Sequence, residues 1–214
     1  MHTPDYTSAR KAMVDNQVAT SSVTDPRLLS TLRRVPRELF LPADRHALAY
    51  SDAHHPLGQG RFLVAPAVFA RLVQLTEVSE TDRVLDYWPS TGYSTAVLSA
   101  LARDVVGFEP DPALAAEARI RMAELGISNA VITQQLAPGD LFDVVLVEGA
   151  VAEIPADLLQ KLAPGGRLVC LVRNGPVGVA TVCLRGVTGI VTKTWFNATL
   201  PVIDLQPVPE RFVF

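Results

Sequence analysis

Residues 83–111 read RVLDYWPSTGYSTAVLSALARDVVGFEPD. A short apolar run ends in an acid, Asp86. A turn follows, then a helical stretch, and then a second apolar run that closes on Glu109. Strand–turn–helix–strand with an acid at each strand end is the frame of a nucleotide-type cofactor site, because open α/β sheets bind ligands beyond the carboxyl ends of their strands. A carboxylate at the second strand end offers two acceptor oxygens, enough for both hydroxyls of a ribose. Glu109 therefore reads either as a ribose acceptor or as a solvated strand-end acid. The turn between them, Tyr87-Trp88-Pro89-Ser90-Thr91-Gly92, has large or rigid residues where close ligand approach favours glycine.

The alternation continues downstream. DPALAAEARIRMAELG is a helix with Asp111 as cap, Pro112 in its first turn and Gly126 past its end. AVIT, FDVVLVEGA and GGRLVCLVR read as strands, with PADLLQKLAPGG as a helix between the last two. Near-continuous apolar strands separated by helices predict a parallel sheet covered on both faces. From GVATVCLRG to PERFVF the pattern becomes β, which predicts a closing antiparallel hairpin and an extension. Upstream, DYTSARKAMVDNQVAT and TDPRLLSTLRRVPRELF predict short helices, the second with Leu28, Leu29, Leu32 and Val35 on one face. Residues 41–66 read as a loop by their glycines and prolines. APAVFARLVQLTEV predicts a helix with Val68, Leu72 and Leu75 inward.

The chain has 214 residues, 49% hydrophobic and 19% charged, which suits one globular domain. Its net charge of −3 gives no electrostatic footprint for nucleic acid. No apolar run reaches the ~18 residues of a membrane span, and the polar N-terminus has no signal-peptide core, so a cytoplasmic protein is expected. Cys170 and Cys183 sit in apolar runs and read as buried strand residues. The adjacent His54 and His55 lack carboxylates at ligand spacing, and no metal site is expected.

MVDNQV, VTDPRLLSTLRRVPRELFLP, AYSDAHHPLGQG, DRVLDYWPSTGYSTAVLSALA, LAPGGRLVCLV and RFVF occur in the order found in one family. Together they resemble the protein-L-isoaspartate O-methyltransferases, a class I S-adenosylmethionine-dependent group. The resemblance implies a Rossmann-like α/β fold of about seven mostly parallel strands, with a helical N-terminal segment over the carboxyl edge. It implies a single methyltransferase-like domain over residues 1–214. Residues 1–65 would be the helical segment and substrate-approach loop, 66–174 the cofactor-binding core, and 175–214 the β hairpin and extension. S-adenosyl-L-methionine is the implied cofactor, with Asp86, Gly92, Glu109 and Gln135 at its site. An isoaspartyl carboxylate of a protein or peptide is the implied substrate, and protein repair the implied role. Such a transfer is a direct displacement on an already ionised nucleophile and needs no general base.

The sequence departs from that family in its chemistry-bearing segments. The family's cofactor turn runs acid, apolar, Gly, x, Gly, x, Gly, Tyr; Asp86, Gly92 and Tyr93 fit, but Trp88 and Ser90 replace the first two glycines. Either the backbone path survives with Trp88 in packing, or Trp88 fills the methionine end of the cofactor site; impaired binding is the expectation. In the substrate loop Arg61, Phe62 and Val64 replace the family's Gln, Thr and Ser. Val64 cannot donate to a substrate carboxylate, and Arg61 reads as an exposed loop residue or as a displaced carboxylate clamp. Gln134 and Gln135 replace a Gly-Asp pair beside the adenine. Glu148, ending the fourth strand, reads equally as a site residue or a solvated acid. The candidate functions are a working methyltransferase and a catalytically silent relative kept for binding or structure. A nucleotide-dependent oxidoreductase lacks its glycine fingerprint.

Overall fold

The computed structural model describes residues 5–203 except 59 and 174, so the C-terminal RFVF segment lies outside the described residues. Its main sheet has seven strands in the order β5-β4-β3-β6-β7-β8-β9. These are β3 (Arg83–Tyr87), β4 (Asp104–Phe108), β5 (Ala130–Thr133), β6 (Phe142–Val151), β7 (Leu162–Arg173), β8 (Gly178–Gly186) and β9 (Gly189–Ala198). β3 pairs in parallel with β4 and with β6, so the chain winds outward in both directions from it. β8 and β9 close the sheet antiparallel, as the turn-rich pattern predicts. The carboxyl end of β3, flanked by β4 and β6, thus lies at the reversal of winding, where this architecture opens a crevice.

Side-chain alternation assigns the two faces. Val84 and Val144 belong to the core under α3 (Pro66–Leu75), α4 (Tyr93–Ser99) and α5 (Pro112–Glu124), whereas Leu85 and Val145 belong to the core under α6 (Ala156–Gln160). All four are fully buried, each contributing about 1.5–3 kcal/mol. α5 starts where its cap predicts: the Asp111 carboxylate accepts from the N–H groups of Ala113 and Leu114, with Pro112 at the first position. Both cysteines are buried and free.

The N-terminal segment forms α1 (Tyr6–Met13), a π-helical turn over Val14–Val18, α2 (Pro26–Arg34) and short 3₁₀ turns at Arg37–Phe40 and Ala43–Leu48. It packs over the carboxyl edge: Phe40 meets the Tyr93 ring edge-on at 5.4 Å. Several local expectations are corrected. The 41–66 stretch contains a small antiparallel hairpin, β1 (His55–Gly58) with β2 (Arg61–Leu63). The buried face of α3 is Ala67, Phe69, Ala70, Leu72 and Val73; Val68 and Leu75 are only half-buried, because the helix is sandwiched rather than laid on one surface. α6 stops at Gln160, and residues 162–166 already run as strand.

Candidate functional site

The turn after β3 runs through left-handed backbone at three positions, two of them not glycine. Trp88 has φ 69°, Ser90 φ 56° and Gly92 φ 94°. This left-handed conformation costs a non-glycine residue about 1–2 kcal/mol. The surrounding contacts compensate. Trp88 N–H donates to Phe108 O at 2.8 Å, Gly92 N–H to Pro89 O at 2.9 Å, and Thr91 Oγ1 to Phe40 O at 2.9 Å. Gly92 also opens α4 against α5, where a Cβ would stand 3.1 Å from that of Ala118.

Glu109 directly follows β4 and is completely buried. Its Oε2 accepts the Ser90 N–H at 2.9 Å, and its Oε1 accepts the Asp111 N–H at 3.1 Å. The remaining strong partner is Arg61, whose Nη2 donates to Oε1 at 2.7 Å. Arg61 is 6% exposed, so the expected exposed loop residue is instead a buried cation carried to the cofactor edge by β2. Burial pushes the Arg61 guanidinium down from its ordinary value, with Glu109 opposing. Burial raises the Glu109 carboxyl, with Arg61 pulling it back.

Trp88 braces that cation. Its ring lies beneath the Arg61 guanidinium, 3.8 Å from carbon to centroid, and stacks beside Tyr87 at 6.1 Å with the planes 8° apart. It packs with the core on the α6 side of the sheet. The side chain touching Glu109 is therefore Arg61, and Trp88 is the platform under it.

Beneath the turn, Asp86 accepts the hydroxyls of Ser94 at 2.7 Å and Thr95 at 2.6 Å on one oxygen. Its other oxygen has no partner among the described residues. Burial pushes its carboxyl up to about 7, opposed by the Thr95 and Ser94 hydroxyls and reinforced by Glu109. Glu148, at the neighbouring strand, is half-buried and is also pushed well up, by burial and then by Asp86. Arg37 is the residue that sequence reading missed. Fully buried, it donates Nε to Ala49 O at 2.7 Å and Nη2 to Val64 O at 2.6 Å, and covers the Tyr93 ring at 4.9 Å. Its only sequence signal is its place in VPRELFLP.

The other candidates scatter. Val64 is buried and offers its backbone to Arg37, and Phe62 is half-buried in the hairpin. Gln135 lines a shallow depression with Pro110, Thr133 and Gln134, beside the end of β4. His54 accepts the Ala65 N–H on Nδ1 at 2.9 Å and sets Nε2 against Thr199 O at 2.9 Å, which ties the hairpin base to the C-terminal segment. Among the described residues no cluster of His, Cys, Asp and Glu could hold a metal ion.

Comparison with known proteins bears directly on this arrangement. The family described as protein-L-isoaspartate(D-aspartate) O-methyltransferase matches residues 8–189. The chain belongs to the protein-L-isoaspartate O-methyltransferase family. It is 38% identical over 199 residues to the protein-L-isoaspartate O-methyltransferase of Koribacter versatilis, covering 89% of each chain. It is 34% identical over 168 residues to that of Methanoculleus marisnigri, covering 76% of each. A crystal structure from Plasmodium falciparum, in complex with S-adenosyl-L-homocysteine, superposes with a TM-score of 0.77 at 20% identity, over 91% of this chain and 98% of that one. The fold is thus the Rossmann-like class I methyltransferase fold. Among the described residues no helix is long and apolar enough to cross a membrane.

Proposed function

We propose that this chain is a protein-L-isoaspartate O-methyltransferase relative that does not carry out methyl transfer in the state described, and that the fold serves binding or structure. One observation carries the reading: the Arg61 guanidinium sits on the Glu109 carboxylate, braced by Trp88. S-adenosylmethionine needs that carboxylate for its ribose. The frame around it fits the cofactor: the left-handed turn, Gly92 at the start of α4, and the depression beside Gln135. The acid itself does not fit, because Oε1 accepts from Arg61 and the Asp111 N–H and Oε2 from the Ser90 N–H, which leaves about one of its four or so acceptor positions for two ribose hydroxyls. The substrate side supports the same reading. Val64 presents no hydroxyl to an isoaspartyl carboxylate, its carbonyl is engaged by Arg37, and Arg61 points at Glu109.

The test is calorimetry with S-adenosyl-L-homocysteine, together with methyl transfer from labelled S-adenosylmethionine to an isoaspartyl peptide. The expected results are no binding at millimolar ligand and no turnover. Micromolar 1:1 binding with turnover would restore the working-enzyme reading. The retained turn backbone favours that second reading, as does 38% identity to a named methyltransferase. In that case the substrate is a protein or peptide carboxylate and the role is protein repair in the cytoplasm.

A further inference from the structure

We propose that β9 is the docking edge for a second copy of this chain, joined antiparallel, strand to strand, about a two-fold axis at Thr192. β9 ends the seven-stranded sheet, and among the described residues nothing pairs with its outer side. Every residue from 189 to 195 is exposed. Large apolar side chains gather there in solvent: Leu184, Val187, Ile190, Val191 and Trp195 lie on β8, β9 or the turn between them. Edge strands are usually kept short, bulged or charged against such pairing. β9 runs for 10 residues without proline and carries a single charge, Lys193.

The register with β8 decides which backbone groups are free. The two-residue turn Val187-Thr188 closes on Gly186 opposite Gly189, so ladder bonds fall there and at the pairs Leu184–Val191 and Val182–Lys193. The alternate residues Ile190, Thr192 and Thr194 therefore turn N–H and C=O outward. The register is regular as far as Thr194 and shifts beyond it. A second copy fits this window. Pairing about Thr192 sets Ile190 opposite Thr194 of the second copy and Thr192 opposite its own counterpart, so each outward group meets a partner.

Charge selects the same register. An axis one residue on, at Lys193, would set two ammonium groups directly opposite each other, which is destabilising. With the axis at Thr192, Lys193 faces Val191 of the second copy, and its ammonium already rests on its own Trp195 ring, 4.2 Å from the centroid. The edge thus calls for an uncharged strand, which β9 itself is apart from that one lysine. The opposite edge of the sheet, β5, has only 4 residues. Pairing β9 with β5 would add copies without end, whereas pairing β9 with β9 closes at two. One strand pair with its flanking side chains is a small interface, below about 1,200 Å², so association in the micromolar range is expected. β9 lies across the sheet from the Glu109 end of β4, and the contact is independent of cofactor binding.

The experiment is sedimentation velocity on the full chain, from low micromolar to submillimolar concentration, beside T192P and T192K. A monomer–dimer equilibrium is expected, weakened at least tenfold in both variants. Proline suits this position because the Thr192 N–H points away from β8 and the β8–β9 ladder keeps its bonds. T192K reaches the same end without proline, by setting like charges opposite on the axis. Thermal unfolding checks that both variants fold. A chain that stays monomeric throughout overturns the proposal, as does growth beyond the dimer, or a dimer that folded T192P and T192K leave unchanged. A second measurement needs no variant. Hydrogen exchange at the Ile190, Thr192 and Thr194 amides of the full chain is expected to slow at least tenfold from the dilute to the concentrated sample. Exchange at these amides that is the same at every concentration, whether fast or slow, overturns the pairing; slow exchange throughout would mean that the edge is covered within a single chain.

Discussion

Ser90 meets Glu109 through its backbone N–H at 2.9 Å, and Arg61 meets the same carboxylate through a side chain at 2.7 Å. The turn supplies backbone to this acid, whereas the hairpin supplies a side chain. The turn holds Trp88 and Ser90 in a conformation that suits glycine. The hairpin makes its long-range contact through one side chain, Arg61. A backbone conformation can outlast its preferred residues when neighbouring hydrogen bonds over-determine it. A side-chain role cannot, because it depends on the functional group itself.

The largest expected effect separates the two approaches to Glu109. Glu109→Ala strands the buried Arg61 charge and frees two buried N–H donors, so chemical denaturation should show a loss of about 3–5 kcal/mol. Arg61→Met leaves Glu109 with its two backbone donors and should cost clearly less. Equal losses would mean that the hairpin is as much a part of the acid's structural support as the turn.

Asp86 gives the next effect, and it depends on pH. Its folded carboxyl is pushed up to about 7, above its value in the unfolded chain. The folded state therefore holds the proton more tightly. Its contribution to stability is full below about pH 4, is lost as pH rises through about 7, and is level beyond. Each pH unit between the two values is worth about 1.4 kcal/mol, which sets an upper limit of about 4 kcal/mol. Asp86→Asn keeps an acceptor for Ser94 and Thr95. It should stabilise the protein at pH 8 and give no gain near about pH 4. A gain independent of pH would show that the carboxyl is ionised throughout.

The smallest effect concerns the turn alone. Ser90→Gly releases a left-handed residue worth about 1–2 kcal/mol and takes on about 0.5–1 kcal/mol of glycine entropy. A net gain of up to about 1.5 kcal/mol in unfolding free energy is expected, with the N–H bond to Glu109 kept. A clear loss would mean that the Ser90 side chain, and not the turn's hydrogen bonds, holds the conformation.

By itself the sequence determined the sheet, its central strand, the caps and the strand-end acids, because hydrophobic period and capping chemistry are local properties. Asp111 and Pro112 begin α5 as their types require, and the β3–β4 unit lies at the reversal of winding. The same local logic also singled out the Trp88–Gly92 turn and the Arg61–Val64 loop. It did not show that these two places meet. Arg61 read as an exposed loop residue because nothing adjacent in the chain calls for a buried cation. Its partner Glu109 lies far along the chain, and only the packing of the hairpin over the carboxyl edge brings them to 2.7 Å. Arg37 was illegible for the same reason, since its acceptors are the carbonyls of Ala49 and Val64 and a backbone carbonyl leaves no mark in a sequence. Whether Trp88 faced the site or the core was likewise a tertiary decision, made by the guanidinium above it and the Tyr87 ring beside it.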